Sequence, residues 1–215
     1  MSLPTRTRAA GPETHPTRIR MIEVAERLFA ERGIDAVSSA EIIEAAGQRN
    51  KNAVNYHFGS REGLVTAIAE YRSASLSTRR SELLDELRTQ GRERDALAVC
   101  ATLVMPLAEL LDDPGNNFLG FLARYHLDRS RRRLVRSVDP RLIESYREAA
   151  RLLREITDLD RADFDARFAL VLDMIFTALA GREAAVRSGD PGRASRASLV
   201  RNLIGCAVGA LQVTP

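Results

Sequence analysis

The sequence predicts an all-α protein, a small N-terminal three-helix unit joined to a larger C-terminal helical domain. Three observations lead there. From Thr17 onward apolar residues recur at the 3.6-residue spacing of amphipathic helices, and no stretch shows the two-residue alternation of a half-buried strand. Apolar residues make up 45% and charged ones 28%, with 5% aromatics and no tryptophan, the balance of a folded helical chain. At 215 residues, roughly 70% of the unfolded surface can be buried on folding, so the core is sizeable.

Residues 1–16 hold three prolines and a glycine without apolar period, which predicts a flexible arm. Arg6 and Arg8 either follow a DNA minor groove from that arm or belong to an inert tail. Residues 17–61 form the first folded unit. Thr17 is the expected N-cap of a helix whose stripe is Ile22, Ala25 and Phe29 with Leu28 beside it, while Glu23, Glu26 and Arg27 face outward and Gly33 stops the chain. Ser38 with Glu41 three residues on fits a capping box. The second helix then runs to about Ala46, with Ile42, Ile43, Ala45 and Ala46 as contacts, and Gly47 supplies the positive φ of a sharp corner. A third helix is expected from near Asn50 to around His57, docked by Ala53, Val54 and Phe58 and presenting Asn52, Asn55 and Tyr56 outward. Two short helices about a tight turn, the second polar and basic on one side, have the physical form of a helix-turn-helix reader of DNA.

The remaining residues, 62–215, read as helical throughout. Ser60 caps a long fourth helix with Leu64, Val65, Ile68 and Tyr71 on its inner side, reaching about Leu87. Ala96 to Leu111 is almost unbroken apolar, and Pro106 predicts a kink or break within it. Asn117 to about Val135 carries Phe118, Phe121, Leu122 and Tyr125 at helical spacing, and Pro140 opens a helix toward Ile156. Two long helices finish the chain, Arg161 to about Ser188 and Ala194 to about Val213, separated by Gly189, Asp190, Pro191 and Gly192. Small residues Gly205, Ala207 and Gly209 allow close helix approach, so these two helices either pair with their copies in a second subunit as a four-helix interface or form an ordinary intrachain core.

Charge narrows the function. The net charge is only +3, and Lys51 is the single lysine among 32 basic residues, so overall charge does not imply nucleic acid. Distribution does: Gln48 to Arg61 contains Arg49, Lys51 and Arg61 and no carboxylate. Lys51 and Arg49 can reach phosphates or guanine edges, and Asn52 and Asn55 can pair with adenine. Asparagines at 50, 52 and 55 are poor helix formers, so their presence suggests a purpose other than stability. The candidate DNA-contacting set is Thr17, Ser38, Ser39, Arg49, Asn50, Lys51, Asn52, Asn55, Tyr56, His57 and Arg61. A second basic run, Arg129, Arg131, Arg132, Arg133 and Arg136, reads by default as a solvated face.

Other classes find less support. Cys100 and Cys206 lie apart in apolar helical patterns and read as buried free thiols. No signal-peptide core and no run of about 18 apolar residues is present, which gives a cytoplasmic expectation. No cofactor or metal is expected, because no phosphate-cradling glycine loop, metal-ligand spacing or nucleophile with a base is recognisable, and His57 has no partner at ligand spacing. The rival readings are an all-helical enzyme with a basic N-terminal domain and a sequence-independent architectural DNA binder.

Thr17 to Tyr71 resembles the DNA-binding domain of the TetR family of bacterial transcriptional regulators. The correspondence runs through Leu28-Phe29-Ala30-Glu31-Arg32-Gly33, Ser38, Ala45-Ala46-Gly47, and Tyr56-His57-Phe58-Gly59-Ser60-Arg61-Glu62. Between Gly47 and Phe58 this chain is one residue longer than the common pattern, with Gln48 in place of a small apolar residue. The resemblance implies a homodimeric, ligand-responsive regulator, most often a repressor, whose two readers enter successive major grooves of a palindromic operator. It implies backbone-phosphate contacts for Tyr56 and His57. It further implies a C-terminal ligand-binding and dimerisation domain holding a small, largely apolar effector. Candidates to line that pocket are Met105, Phe118, Phe121, Tyr125, Tyr146 and Phe176, with His126 and Asp128 near in sequence; the same apolar stripes would serve a plain helical core.

Overall fold

The computed structural model describes residues 16–113, 115–127, 138–190 and 195–212, all of them helical or in short connections. The N-terminal arm through residue 15, Asp128, the basic run Arg129 to Arg136, and the turn residues Pro191 and Gly192 lie outside the described residues.

The first helix, α1 (Pro16–Arg32), begins at its proline, whose missing N–H is no loss in a first helical turn. Thr17 therefore sits inside the helix and is not its N-cap. Met21, Ile22, Ala25, Leu28 and Phe29 are buried as the periodicity requires, but so is Glu26, at 1% exposure. That corrects the outward placement: α1 is covered on two sides, and Glu26 meets Arg72 across the second one, in a bidentate pair of 2.7 and 2.9 Å. Next comes α2 (Ser39–Ala45), then α3 (Ala53–Phe58), and the long α4 (Arg61–Thr89) capped by Ser60 through the Gly63 N–H. With 29 residues α4 is roughly 40 Å long. Its first half buries Leu64, Val65 and Ile68 against the N-terminal helices, and its second half buries Leu76, Leu84 and Leu87 in the C-terminal domain. Tyr71, expected on the inner side, is 38% exposed beside Arg72.

In the C-terminal domain, α5 (Ala96–Glu109) starts at an Asp95 cap and continues through Pro106 before tightening into a 3-10 turn at Leu110–Asp112. The proline removes the N–H that would bond the Thr102 carbonyl. That carbonyl instead accepts from Arg80 Nε of α4 at 3.1 Å, which explains why the helix does not break. A short helix α6 (Phe118–Leu127) follows, then a 3-10 turn at Pro140–Ile143 leading into α7 (Glu144–Ile156), α8 (Arg161–Arg187) and α9 (Arg196–Gln212). Helix α6 lies between α1 and α8, α7 packs on α4 and α5, and α9 packs on α5 and α8. Cys100 is buried, and burial pushes its thiol up to about 12; Cys206 is exposed, against expectation, because its face of α9 has no neighbour among the described residues.

Candidate nucleic-acid interface and internal cavity

The reader is built by local chemistry. Ser38 Oγ accepts the Glu41 N–H at 3.2 Å, and the Glu41 carboxylate accepts the Ser38 N–H at 2.7 Å, closing the capping box of α2. Those bonds, with Arg32 2.8 Å away, hold the Glu41 carboxyl down at about 2. Helix α2 ends in a Schellman arrangement: the Gln48 N–H bonds the Ile43 carbonyl and the Gly47 N–H bonds the Glu44 carbonyl, both at 2.9 Å, with Gly47 at φ 69°. Arg20 Nε from α1 also donates to the Ala46 carbonyl at 3.2 Å.

The third helix starts three residues later than its sequence suggests. The Asn50 side chain accepts the Asn52 N–H at 2.9 Å, and its carbonyl accepts from Ala53 at 3.0 Å, so Asn50–Lys51–Asn52 form a side-chain-closed turn in place of helix. Arg49, Asn50, Lys51 and Asn52 therefore occupy the connection before α3, where all four are exposed. Ala53 and Val54, each 2% exposed, dock α3, and Phe58 packs partly against the core with Arg18 5.1 Å from its ring centroid. Asn55 and Tyr56 point outward, Tyr56 at 79% exposure, and the half-buried His57 ring stands edge-on to Tyr56 at 4.9 Å.

Other expected contacts are placed differently. Arg61 turns inward: its guanidinium bonds the Ile34 carbonyl and lies 5.4 Å from the Phe29 ring centroid, pinning the start of α4 to α1. Ser38 commits its hydroxyl to the cap, while Ser39 is half-exposed in the first turn of α2, and Thr17 is half-exposed in the first turn of α1. Gly63 was not singled out by sequence, yet a Cβ there would come 2.0 Å from the Phe58 carbonyl oxygen, so α3 and α4 meet as closely as they do only at glycine.

Helix α6 joins this reader to the C-terminal domain. Its N-terminal amides face carboxylates from both sides: Glu26 of α1 accepts from Asn117 N at 3.2 Å, and Glu183 of α8 accepts from Leu119 N and Gly120 N at 3.2 and 2.9 Å. Burial raises the Glu183 pKa above the ordinary carboxylate range, against those amides and Arg187. In return, Arg124 Nε and Nη2 reach the last-turn carbonyls of α1, Ala30 at 2.8 Å and Glu31 at 3.2 Å.

Behind α6 lies a largely apolar cavity of about 120 Å³ between α4, α5, α7 and α8, partly open to solvent. Phe118, Tyr146 and Phe176 line it, together with Arg80, which the sequence reading missed. Tyr125 and His126 line its extension, where His126 Nδ1 lies 2.7 Å from Asp173. Two expected lining residues are elsewhere. Phe121 is fully buried in a stack with Phe29, Phe118 and Tyr125, facing α1, and Met105 faces α9 beside Val200 and Ile204. Helical rotation puts each on the wrong side of its helix. No group of three or more His, Cys, Asp or Glu side chains able to hold a metal occurs among the described residues, and none of their helices is long and apolar enough to cross a membrane.

Comparison with known proteins agrees with this geometry. Residues 21–68 match the family described as "Bacterial regulatory proteins, tetR family". The HTH-type transcriptional regulator TtgR of Pseudomonas putida is 34% identical over 92 residues, 42% of this chain and 43% of TtgR. The HTH-type transcriptional repressor AcnR of Corynebacterium glutamicum is 34% identical over 69 residues, 32% of this chain and 36% of AcnR. The matched stretch thus spans less than half of either curated relative. A crystal structure from Shewanella sp. PV-4, described as that of a "putative tetR family transcription regulator", superposes with a TM-score of 0.63 at 16% identity, covering 92% of this chain and 99% of that one; the fold is shared over that span.

Proposed function

We propose that this chain, a member of the tetR family of bacterial regulatory proteins through its N-terminal domain, is an operator-binding transcriptional regulator that a small molecule releases from DNA. One observation carries the reading. A rigidly capped helix-turn-helix presents Arg49, Lys51, Asn52, Asn55 and Tyr56 to solvent on one edge, with no carboxylate between Gln48 and Arg61. In this reading Lys51 and Arg49 bind phosphates or guanine edges, Asn52 and Asn55 read bases, and Tyr56 and His57 touch the backbone. Arg61, Ser38 and Gly63 position the unit.

The division of labour follows the chain: residues 17–61 read DNA, and residues 62–215 bind the effector and dimerise. Support for a dimer comes from the outer face of α8 and α9, where Leu170 is 67% exposed and Gly181, Gly205 and Gly209 leave open space where a Cβ would stand. A second copy against that face would bury it and set two readers side by side for a palindromic site. The effector occupies the cavity behind α6, and α6 transmits its presence to α1. The match to a repressor among the relatives favours repression.

The test is a salt titration of operator binding by fluorescence anisotropy. Lys51→Ala should weaken binding and reduce the slope of log K against log salt by about one unit, the counterion released at one phosphate. An unchanged slope together with unchanged affinity would remove Lys51 from the interface.

A further inference from the structure

Among the described residues Arg80 is the one arginine, lysine or carboxylate on the cavity wall, and it is 6% exposed. Its protein partners account for only part of its guanidinium. Nε donates to the Thr102 carbonyl at 3.1 Å and Nη1 approaches Ser145 Oγ at 3.4 Å, while among the described residues Nη2 makes no hydrogen bond and no carboxylate pairs with the group. A guanidinium has five donors, so most of the fork is left for the cavity. Satisfying the carbonyl freed by Pro106 does not require a cation, since any neutral donor could do it. Holding a full charge out of water without a counter-ion is strongly unfavourable unless something supplies the opposite charge. Around it the wall is mostly apolar, with Leu103, Phe118, Ile175 and Phe176, and the other polar side chains lining it are the neutral hydroxyls of Ser73 and Tyr146.

Resting on the effector-binding reading above, we propose that the cavity takes an amphipathic carboxylic acid, its carboxylate on the free edge of Arg80 beside the Tyr146 hydroxyl and its apolar body against Phe118, Ile175 and Phe176. A planar fork meeting a carboxylate through two parallel N–H bonds is the strong form of this contact. Protonation states suit it. Burial draws Arg80 down to about 10, which leaves it cationic at neutral pH, and burial pushes Tyr146 up to about 12, which leaves its hydroxyl a donor. The cavity beside Arg80 holds about 120 Å³ and its extension past Tyr125 and His126 about 300 Å³, and the extension alone reaches the lower end of the range of about 300–1,000 Å³ usual for small-molecule sites.

Calorimetric titration of the full chain with decanoate and 2-naphthoate, each beside its uncharged amide, tests this. At least one acid should bind about tenfold or more tightly than its amide, and that preference should vanish in the double variant R80Q/P106A. Replacing the proline by alanine returns a backbone N–H to the Thr102 carbonyl and so removes the structural role of Arg80. Arg80→Lys should keep part of the preference. Equal binding of acids and amides, failure of both acids to bind, or a preference that survives in R80Q/P106A would overturn the proposal. Operator release is read separately on the same samples. Acids that bind without releasing operator would refute the regulatory reading and leave the anion site standing; operator release by the amides alone would do the reverse.

Discussion

At the scale of single residues, the reader depends on groups whose partners lie within a few positions in sequence. Glu41 is the plainest case. The capping box holds its ionised form, and its pKa falls from 4.5 to about 2 because the Ser38 backbone and hydroxyl, then Arg32, stabilise the charge. A carboxyl lowered on folding stabilises the protein fully above its unfolded pKa, and that contribution fades as pH falls toward the folded value. Thermal unfolding midpoints should therefore drop between pH 4.5 and pH 2 more steeply for the native chain than for Glu41→Gln; parallel curves would count against the capping box as the cause. Such local features are legible in sequence: Ser38, Glu41 and Gly47 stand out from spacing alone. Glu26, Arg80, Arg124 and Gly63 do not, for a shared physical reason. Three of them have partners 22 to 94 positions away, and Gly63 matters only because another helix lies against it. Helical periodicity records which face of a helix is buried; it is silent on a charged residue buried beside a distant opposite charge.

At the scale of elements, the existence of each helix could be read from periodicity, whereas the start of α3 could not. Helix propensity disfavours the asparagines before it, but the decisive factor is the turn that Asn50 closes with its own side chain, which delays the helix to Ala53. In the proposed function this matters, since Arg49 to Asn52 would approach DNA from a connection ahead of the helix. Helix α6 has a different task. It shares Phe118 and Leu122 with the cavity, receives carboxylates from α1 and α8 at its N-terminus, and caps α1 with Arg124. A shift of α6 on effector binding would be passed to α1 and so to the reader. Arg124→Ala should leave effector affinity and operator affinity close to native while shrinking the coupling between them, normally about 1 to 3 kcal/mol. Operator titrations with and without saturating effector measure this, and undiminished coupling would take Arg124 off the route.

At the scale of the whole molecule, the chain leaves an apolar, small-residue face on α8 and α9 that no other described element covers. The sequence points to this pair of helices and leaves an intrachain core as the less favoured alternative, because periodicity does not say which neighbour a stripe meets. In the folded chain α9 buries Leu203, Ala207 and Leu211 on α5 and α8, and its other side, with Gly205, Cys206 and Gly209, remains outward. Leu170→Glu would place a charge at the centre of a symmetric contact, where it meets its own copy. Sedimentation at micromolar concentration should show a dimer for the native chain and a shift to monomer for Leu170→Glu, with operator binding reduced in step; a native monomer would contradict the two-reader arrangement.

Whether α3 and the connection before it read a specific DNA sequence can be measured by selection from a random duplex library with the purified full chain. One enriched site is expected, with two inverted half-sites centred about one helical turn of DNA apart or a multiple of it, and that enrichment should be lost when Lys51 and Tyr56 are both replaced by alanine. Recovery of no common sequence, or the same site recovered equally well by the double variant, would contradict this reading.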